Sequence, residues 1–253
     1  NNGADLNATD RLGKTPLHRA VMDGHAEMAV ALINNGADVN ATDQYGYKPL
    51  HRAVMDGHAE MALTLINNGA DLNAADQNGN TPLRLAANNI HTEIAVALIA
   101  KGADVNATDN LGRTLLHRAA TFGRTEIALA LIAKGADVNA TDSNGRKPLY
   151  CAIILCHTEI ALALIAKGAN VNATDNLGRT PLHRAVMDGH AEMALTLINN
   201  GADLNATDRL GKTPLQTARA IEHALHWAAL LSDVKTIKAL IDKGYDLQAK
   251  LDD

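Results

Sequence analysis

The sequence repeats itself every 33 residues, and that period limits the fold more than any other feature. The tract TPLHRA at Thr15–Ala20 returns as KPLHRA at Lys48, TPLRLA at Thr81 and TLLHRA at Thr114. It returns again as KPLYCA at Lys147, TPLHRA at Thr180 and TPLQTA at Thr213. Glycines keep the same beat from Gly3 to Gly201, and a second set runs from Gly13 to Gly211. One unit of this size buries too little apolar area to fold alone. Stacked neighbours share a continuous core, so the array is a solenoid whose units contact mainly their neighbours. Only 2% of the residues are aromatic, against 47% hydrophobic overall. Ala, Leu, Ile and Val must therefore fill thin, similar layers where aromatics would otherwise supply much of the area.

Each period reads locally as helix, turn, helix and finger. Thr15 is placed to cap a helix and Pro16 to occupy its first turn, where no donor is lost. The spacing predicts a short helix over Pro16–Met22 with Leu17, Ala20 and Val21 on its apolar side. Asp23-Gly24 marks a turn. A second helix follows over Ala26–Asn34, with Met28, Leu32 and Ile33 inward and Glu27 outward. Gly36 suits a left-handed end to that helix. The stretch GADVNATDQYG then reads as an extended turn or hairpin before the next cap.

These residues resemble a known family. The string D-x-x-G-x-T-P-L-H-x-A, then D-G-H, then L-I-x-x-G-A-D-V-N-A, at this period, is similar to the ankyrin repeat over about residues 1–218. The resemblance implies an all-α solenoid of stacked helix-turn-helix units with β-hairpin or turn fingers. It also implies a concave face, made by first helices and hairpin tips, that binds other proteins. On this reading residues 1–253 form one domain: a partial repeat over 1–14, six repeats over 15–212 and phase-shifted copies over 213–253. In the last stretch Leu225 stands 19 residues before Gly244, as Leu17 does before Gly36, which favours a repeat that restarts early. A competing alignment makes Leu225–Leu231 the second helix of the seventh repeat. Both predict about three helices over Thr213–Asp242. Both ends fall inside a repeat, so a fragment of a longer chain is expected.

The departures from the pattern are few. Leu115 replaces the first-turn proline. Lys48 and Lys147 replace the capping threonine. Ile90 and Cys156 take the place of the turn glycine. The fifth copy, KPLYCAIILCHTEI, diverges most. At the other extreme, residues 1–17 repeat at 199–215 and residues 50–74 repeat at 182–206 without change.

Chemistry of other kinds is sparse. Histidines fall once per repeat at the TPLH place (His18, His51, His117, His183) and at the turn place (His25, His58, His91, His157, His190). That spread favours hydrogen bonding between repeats over a metal site. His223 and His226 are spaced to share one face of an expected helix but have no third ligand. Cys151 and Cys156 are too few for a disulfide framework and suit a reducing compartment. The NAT triplets at Asn7, Asn40, Asn106, Asn139, Asn172 and Asn205 match a glycosylation sequon only because the finger recurs. No phosphate-binding loop, zinc-protease helix or nucleophile elbow is present, so neither catalysis nor a cofactor is expected. No apolar run reaches the length of a membrane span. The net charge of −5 opposes nucleic-acid binding.

Partner-binding residues are therefore sought where repeats differ. The fingertips carry seven basic residues in 21 places and no acid. Among tip residues Tyr45, Tyr47, Leu111, Arg113, Arg146 and Arg179 are candidates. At the first-helix ends Phe122, Ile154 and Leu155 break a row of Met-Asp pairs, and Arg113 and Arg146 are expected to ring that apolar patch. The expected function is non-catalytic binding of another protein with an acidic and apolar surface, by a monomer, in the cytoplasm or in a host cytosol if secreted. The rivals are a partnerless scaffold, designed or recently expanded, and the substrate-targeting region of a larger scaffold or effector.

Overall fold

The structure, a computed structural model, describes residues 5–219. The expected early restart, the helices expected after residue 219 and the His223–His226 pair fall outside the described residues. Thirteen helices are present among them. The chain divides into two compact units, residues 1–109 with 133–135, and residues 110–132 with 136–253. Unit 1 holds α1 (Pro16–Met22), α2 (Ala26–Asn34), α3 (Pro49–Met55), α4 (Ala59–Asn67), α5 (Pro82–Asn88) and α6 (Thr92–Ala100). Unit 2 holds α7 (Leu115–Phe122), α8 (Thr125–Ala133), α9 (Pro148–Ile154), α10 (Thr158–Ala166), α11 (Pro181–Met187), α12 (Ala191–Asn199) and α13 (Pro214–Arg219). Within unit 1, α1 packs on α3 and α3 on α5. Within unit 2, α7 packs on α9, α9 on α11 and α11 on α13.

The first-helix boundaries come from local chemistry. Thr15, Thr81, Thr114 and Thr180 each accept the N–H of the residue three on. Such a cap contributes about 1 kcal/mol. Lys48 and Lys147 cannot cap, and neither side chain accepts a bond there. Their amines work elsewhere: Lys48 Nζ reaches Asp71 at 3.2 Å, and Lys147 Nζ donates to the Asn139 carbonyl at 2.7 Å. Leu17, Ala20 and Val21 are buried as their spacing predicts. Met28 departs from expectation. It is 55% exposed, whereas Met61 and Met193 at the same register are buried, because no described helix pair precedes α2.

The fingers are turns, and no strand forms among the described residues. An aspartate organises each one. Asp43 Oδ1 accepts the N–H groups of Tyr45 and Tyr47 at 2.9 and 3.0 Å, and its carbonyl accepts from Gly46. Gly46 has φ 80°, and a Cβ there would sit 2.8 Å from the Gln77 nitrogen of the next finger.

Histidine and asparagine fasten successive repeats. The Thr15 N–H donates to His18 Nδ1, which leaves the ring proton on Nε2 to reach the Tyr47 carbonyl at 3.0 Å. His51 joins the Ala74 carbonyl in the same way, and in unit 2 His117 reaches Arg146 and His183 reaches Lys212. Burial lowers the pKa of His18 and of His51, which keeps both rings neutral. Asn40 accepts the Asp71 N–H and donates to the Gly69 carbonyl; Asn139 and Asn172 do the same in unit 2. The sequon asparagines Asn40, Asn139 and Asn172 are thus structural clasps.

Candidate functional site

The fingertips spend much of their charge on themselves. Asp142 Oδ1 accepts the N–H groups of Asn144 and Arg146, both at 2.9 Å, which folds the Arg146 side chain back over its own finger. Its guanidinium then meets Asp142 Oδ2 through Nε at 3.0 Å and Nη2 at 2.9 Å. Burial works to raise the Asp142 pKa, but the Arg146 hydrogen bond and the backbone N–H groups outweigh it and the net shift is downward. Arg179 stands 3.8 Å from Asp175 and sends Nη1 to Met187 Sδ at 3.8 Å. Arg113 is half-buried and Leu111 exposed at the preceding tip. In unit 1 Tyr45 is exposed with its ring 6.4 Å from that of Tyr47, and Arg52 lies 4.4 Å over the Tyr47 ring. Counting basic residues therefore overstates the cationic character of the tips.

The first-helix ends of unit 2 are different. Helix α7 stops at Phe122 because Gly123 turns left-handed, with φ 63°, and Arg124 N–H closes on the Ala119 carbonyl at 2.9 Å. Helix α9 stops at Ile154, followed by Leu155 and by Cys156 with φ 56°. The same turn in both repeats pushes the residue before it outward. Phe122 is 58% exposed and Leu155 55%, with Ile154 half-buried. The turns are held from the next repeat: His157 Nε2 bonds the Thr121 carbonyl and His190 Nε2 the Ile154 carbonyl, each at 3.2 Å. A Cβ at Gly123 would lie 2.5 Å from the His157 ring, so a side chain there requires that ring to move. One turn before Phe122, the Arg118 guanidinium carbon sits 5.7 Å from its ring centroid, a cation–π distance.

The structure splits the candidate residues into two groups. Leu111, Arg113, Arg146 and Arg179 belong to fingers at the N-terminal ends of first helices. Phe122, Ile154 and Leu155 belong to the C-terminal ends. The eight residues of α7 separate Leu111 from Phe122. That is about 12 Å of helix. Arg146 is folded onto Asp142, and Arg118 is a cation seen against the Phe122 ring. Sequence reasoning passed over Arg118 because an arginine also stands at 19, 52 and 184. Arg124 was missed too, though it is the one place where the turn histidine is replaced.

The same row in unit 1 holds Asp23 and Asp56, both exposed, followed by Asn89. In unit 2 the row closes on Asp188, whose carboxylate lies 2.6 Å from Arg184 Nε. That approach lacks hydrogen-bond geometry and is a Coulombic contact. Arg19 and Arg52, at the register of Arg184, pair instead with the finger aspartates Asp10 and Asp43. Asp175, the matching finger aspartate, accepts the Tyr150 hydroxyl at 3.0 Å. Burial first, and the Asp175 charge second, push the Tyr150 pKa up to about 12. Among the described residues no three His, Cys, Asp or Glu side chains converge as metal ligands, and no helix is long and apolar enough to cross a membrane.

Against known proteins, the chain matches the family of ankyrin repeats (three copies) over residues 2–76, 68–142, 141–208 and 175–250. Comparison with curated proteins gives no match. Among solved structures it is similar to the ankyrin repeat domain of Bcl-3, described as a unique member of the IkappaB protein family. The identity is 30% and the TM-score 0.76, and the similarity covers 86% of this chain and 100% of that one.

Proposed function

We propose, from the premise that this chain belongs to the ankyrin-repeat family, that it is a non-catalytic module that binds another protein at the first-helix ends of unit 2. One observation carries the reading. Phe122 and Leu155 hold equivalent places at the C-terminal ends of adjacent helices and both are largely exposed. Apolar side chains exposed together, beside a cation stacked on the ring, have the composition of a binding hot spot. In unit 2 the fingertip residues Leu111, Arg113, Arg146 and Arg179 serve as secondary contacts, while Tyr45 and Tyr47 are a separate candidate contact of unit 1. Salt bridges to finger aspartates hold Arg146 and Arg179 in place. The partner presents an apolar element with acidic neighbours. The module acts as a monomer in the cytoplasm, or in a host cytosol if secreted, where the free thiols of Cys151 and Cys156 persist.

The test is capture from lysate by the full chain, by Phe122→Ala/Leu155→Ala and by Arg113→Ala/Arg146→Ala, with circular dichroism to verify folding. A partner held by the parent, lost by the first variant and weakened by the second is expected. Equal capture by all three removes this surface from the function. A partnerless scaffold is the second reading. The unchanged repetition of residues 50–74 at 182–206 supports it, because few positions have diversified toward a ligand. Capture of nothing by any of the three chains decides for it.

A further inference from the structure

We infer that the occupant of the Phe122–Leu155 surface is an amphipathic α-helix of the partner. It carries two apolar anchors seven residues apart and an acidic side chain one turn from the anchor that meets Phe122. This rests on the reading that the surface binds protein.

The spacing follows from the scaffold. Phe122, the last residue of α7, and Leu155, the residue that caps α9, hold one register of the repeat, and α7 and α9 pack side by side. Packed helices lie about 8–10 Å apart. Two side chains at i and i+7 of an α-helix are about 10.5 Å apart along the axis and return to nearly the same face. A helix laid across the two repeat ends therefore presents one anchor to each.

The backbone argues against an extended occupant. Strand addition draws its affinity from an open row of N–H and carbonyl groups. Here the turn peptides are already engaged. Arg124 N–H donates to Ala119, Cys156 N–H to Ile153 and His157 N–H to Ala152, while the Thr121 and Ile154 carbonyls accept from His157 and His190. A helix arrives with its own backbone satisfied and asks for none of these groups.

Charge fixes the direction. Arg118 lies over the Phe122 ring, and Arg124 stands two residues beyond Phe122. Neither Phe122 nor Leu155 is followed by an acid within its turn, and Asp188, next in the row, is already matched by Arg184. Glu126 and Glu159 are exposed one turn into α8 and α10, which places the partner's carboxylate toward α7 and Arg118.

Two phage-displayed peptide libraries test this, one of constrained helices with randomised faces and one of unconstrained linear peptides. Both are panned on the full chain, with the folded Phe122→Ala/Leu155→Ala variant as the subtraction bait. The expected winners come from the helical library. They carry Leu, Ile, Met, Phe or Trp at i and i+7 with Asp or Glu three or four residues from one of them. Fluorescence anisotropy should then show at least tenfold weaker binding to Phe122→Ala and to Leu155→Ala, and about threefold weaker binding to Arg118→Gln. Subtracted winners from the linear library alone, a different anchor spacing, or basic residues at the flanking places would overturn the helix inference and leave the surface standing. No winners that depend on Phe122 would overturn both.

Discussion

Leu50–Asp56 and Leu182–Asp188 share one sequence, LHRAVMD, yet their arginines pair differently. Arg52 reaches back to the finger aspartate Asp43 at 2.6 Å, whereas Arg184 turns forward to Asp188 at 2.6 Å. The cause lies one repeat upstream. Before Arg52 the TPLH place is His18, which bonds a carbonyl and leaves Asp43 for the arginine. Before Arg184 that place is Tyr150, whose hydroxyl donates to Asp175, and Arg179 also approaches the same carboxylate. Arg184 is displaced onto the helix end. A substitution in one repeat thus resets the surface of the next: Asp56 is exposed, and its twin Asp188 is matched by Arg184. The two units diverge the same way at larger scale. The helix-end row is acidic in unit 1, at Asp23 and Asp56, and apolar in unit 2, at Phe122 and Leu155.

The comparison breaks most visibly at Tyr150, which is 5% exposed. Tyr150→Ala should cost about 3–5 kcal/mol of stability, as the loss of a buried aromatic does, measured by urea unfolding. A cost below about 1 kcal/mol would mean that the fifth repeat has no tertiary dependence on this ring. Next in size is the strain at the two non-glycine residues with left-handed backbone, Ile90 with φ 65° and Cys156 with φ 56°. Ile90→Gly and Cys156→Gly should each stabilise by about 1 kcal/mol, the branched isoleucine gaining more. Thermal melts that show no gain would place the strain elsewhere.

A smaller effect tests the arginine switch itself. Tyr150→Phe frees Asp175, so Arg184 should leave Asp188 for it. In a double-mutant cycle, Asp188→Asn should cost up to about 1 kcal/mol in the parent and close to nothing in Tyr150→Phe. Equal costs in both backgrounds would sever the link between the two repeats.

The smallest effect concerns the histidine clasps. Burial holds the pKa of His18 and His51 below 6.5 in the folded chain. The unfolded chain therefore binds more protons in this range, so the clasps' contribution is complete above 6.5 and is lost as pH falls through the lowered folded values. The slope should flatten in His18→Gln/His51→Gln. Glutamine is a sound replacement because Gln216, at the same register, accepts the Thr213 N–H through Oε1 at 2.8 Å without titrating. An unchanged slope in that variant would assign the acid sensitivity to other groups.

Much of this was legible from the chain. The bounds Pro16–Met22 and Ala26–Asn34 are those of α1 and α2, because proline, a capping threonine and a left-handed glycine act within a few residues of themselves. The glycine places taken by Ile90 and Cys156 do adopt positive φ, for the repeat leaves the turn no other path. The candidate surface was only half legible. Phe122 and Leu155 stood out as breaks in the period, but the tip arginines read as free cations. Their pairing depends on how a finger curls a side chain back onto its own aspartate.

The sequence by itself determined the repeat, its helices and its caps, because those follow from local geometry and a fixed period. Only the tertiary structure decided which carboxylate each arginine meets, that Arg118 lies over the Phe122 ring, and that Met28 is exposed while Met61 is buried. The choice made by Arg184 and the burial of Met61 depend on the neighbouring repeat. Identical segments given different neighbours settle into different contacts, since an ion pair or a buried methionine is a property of two surfaces and not of one.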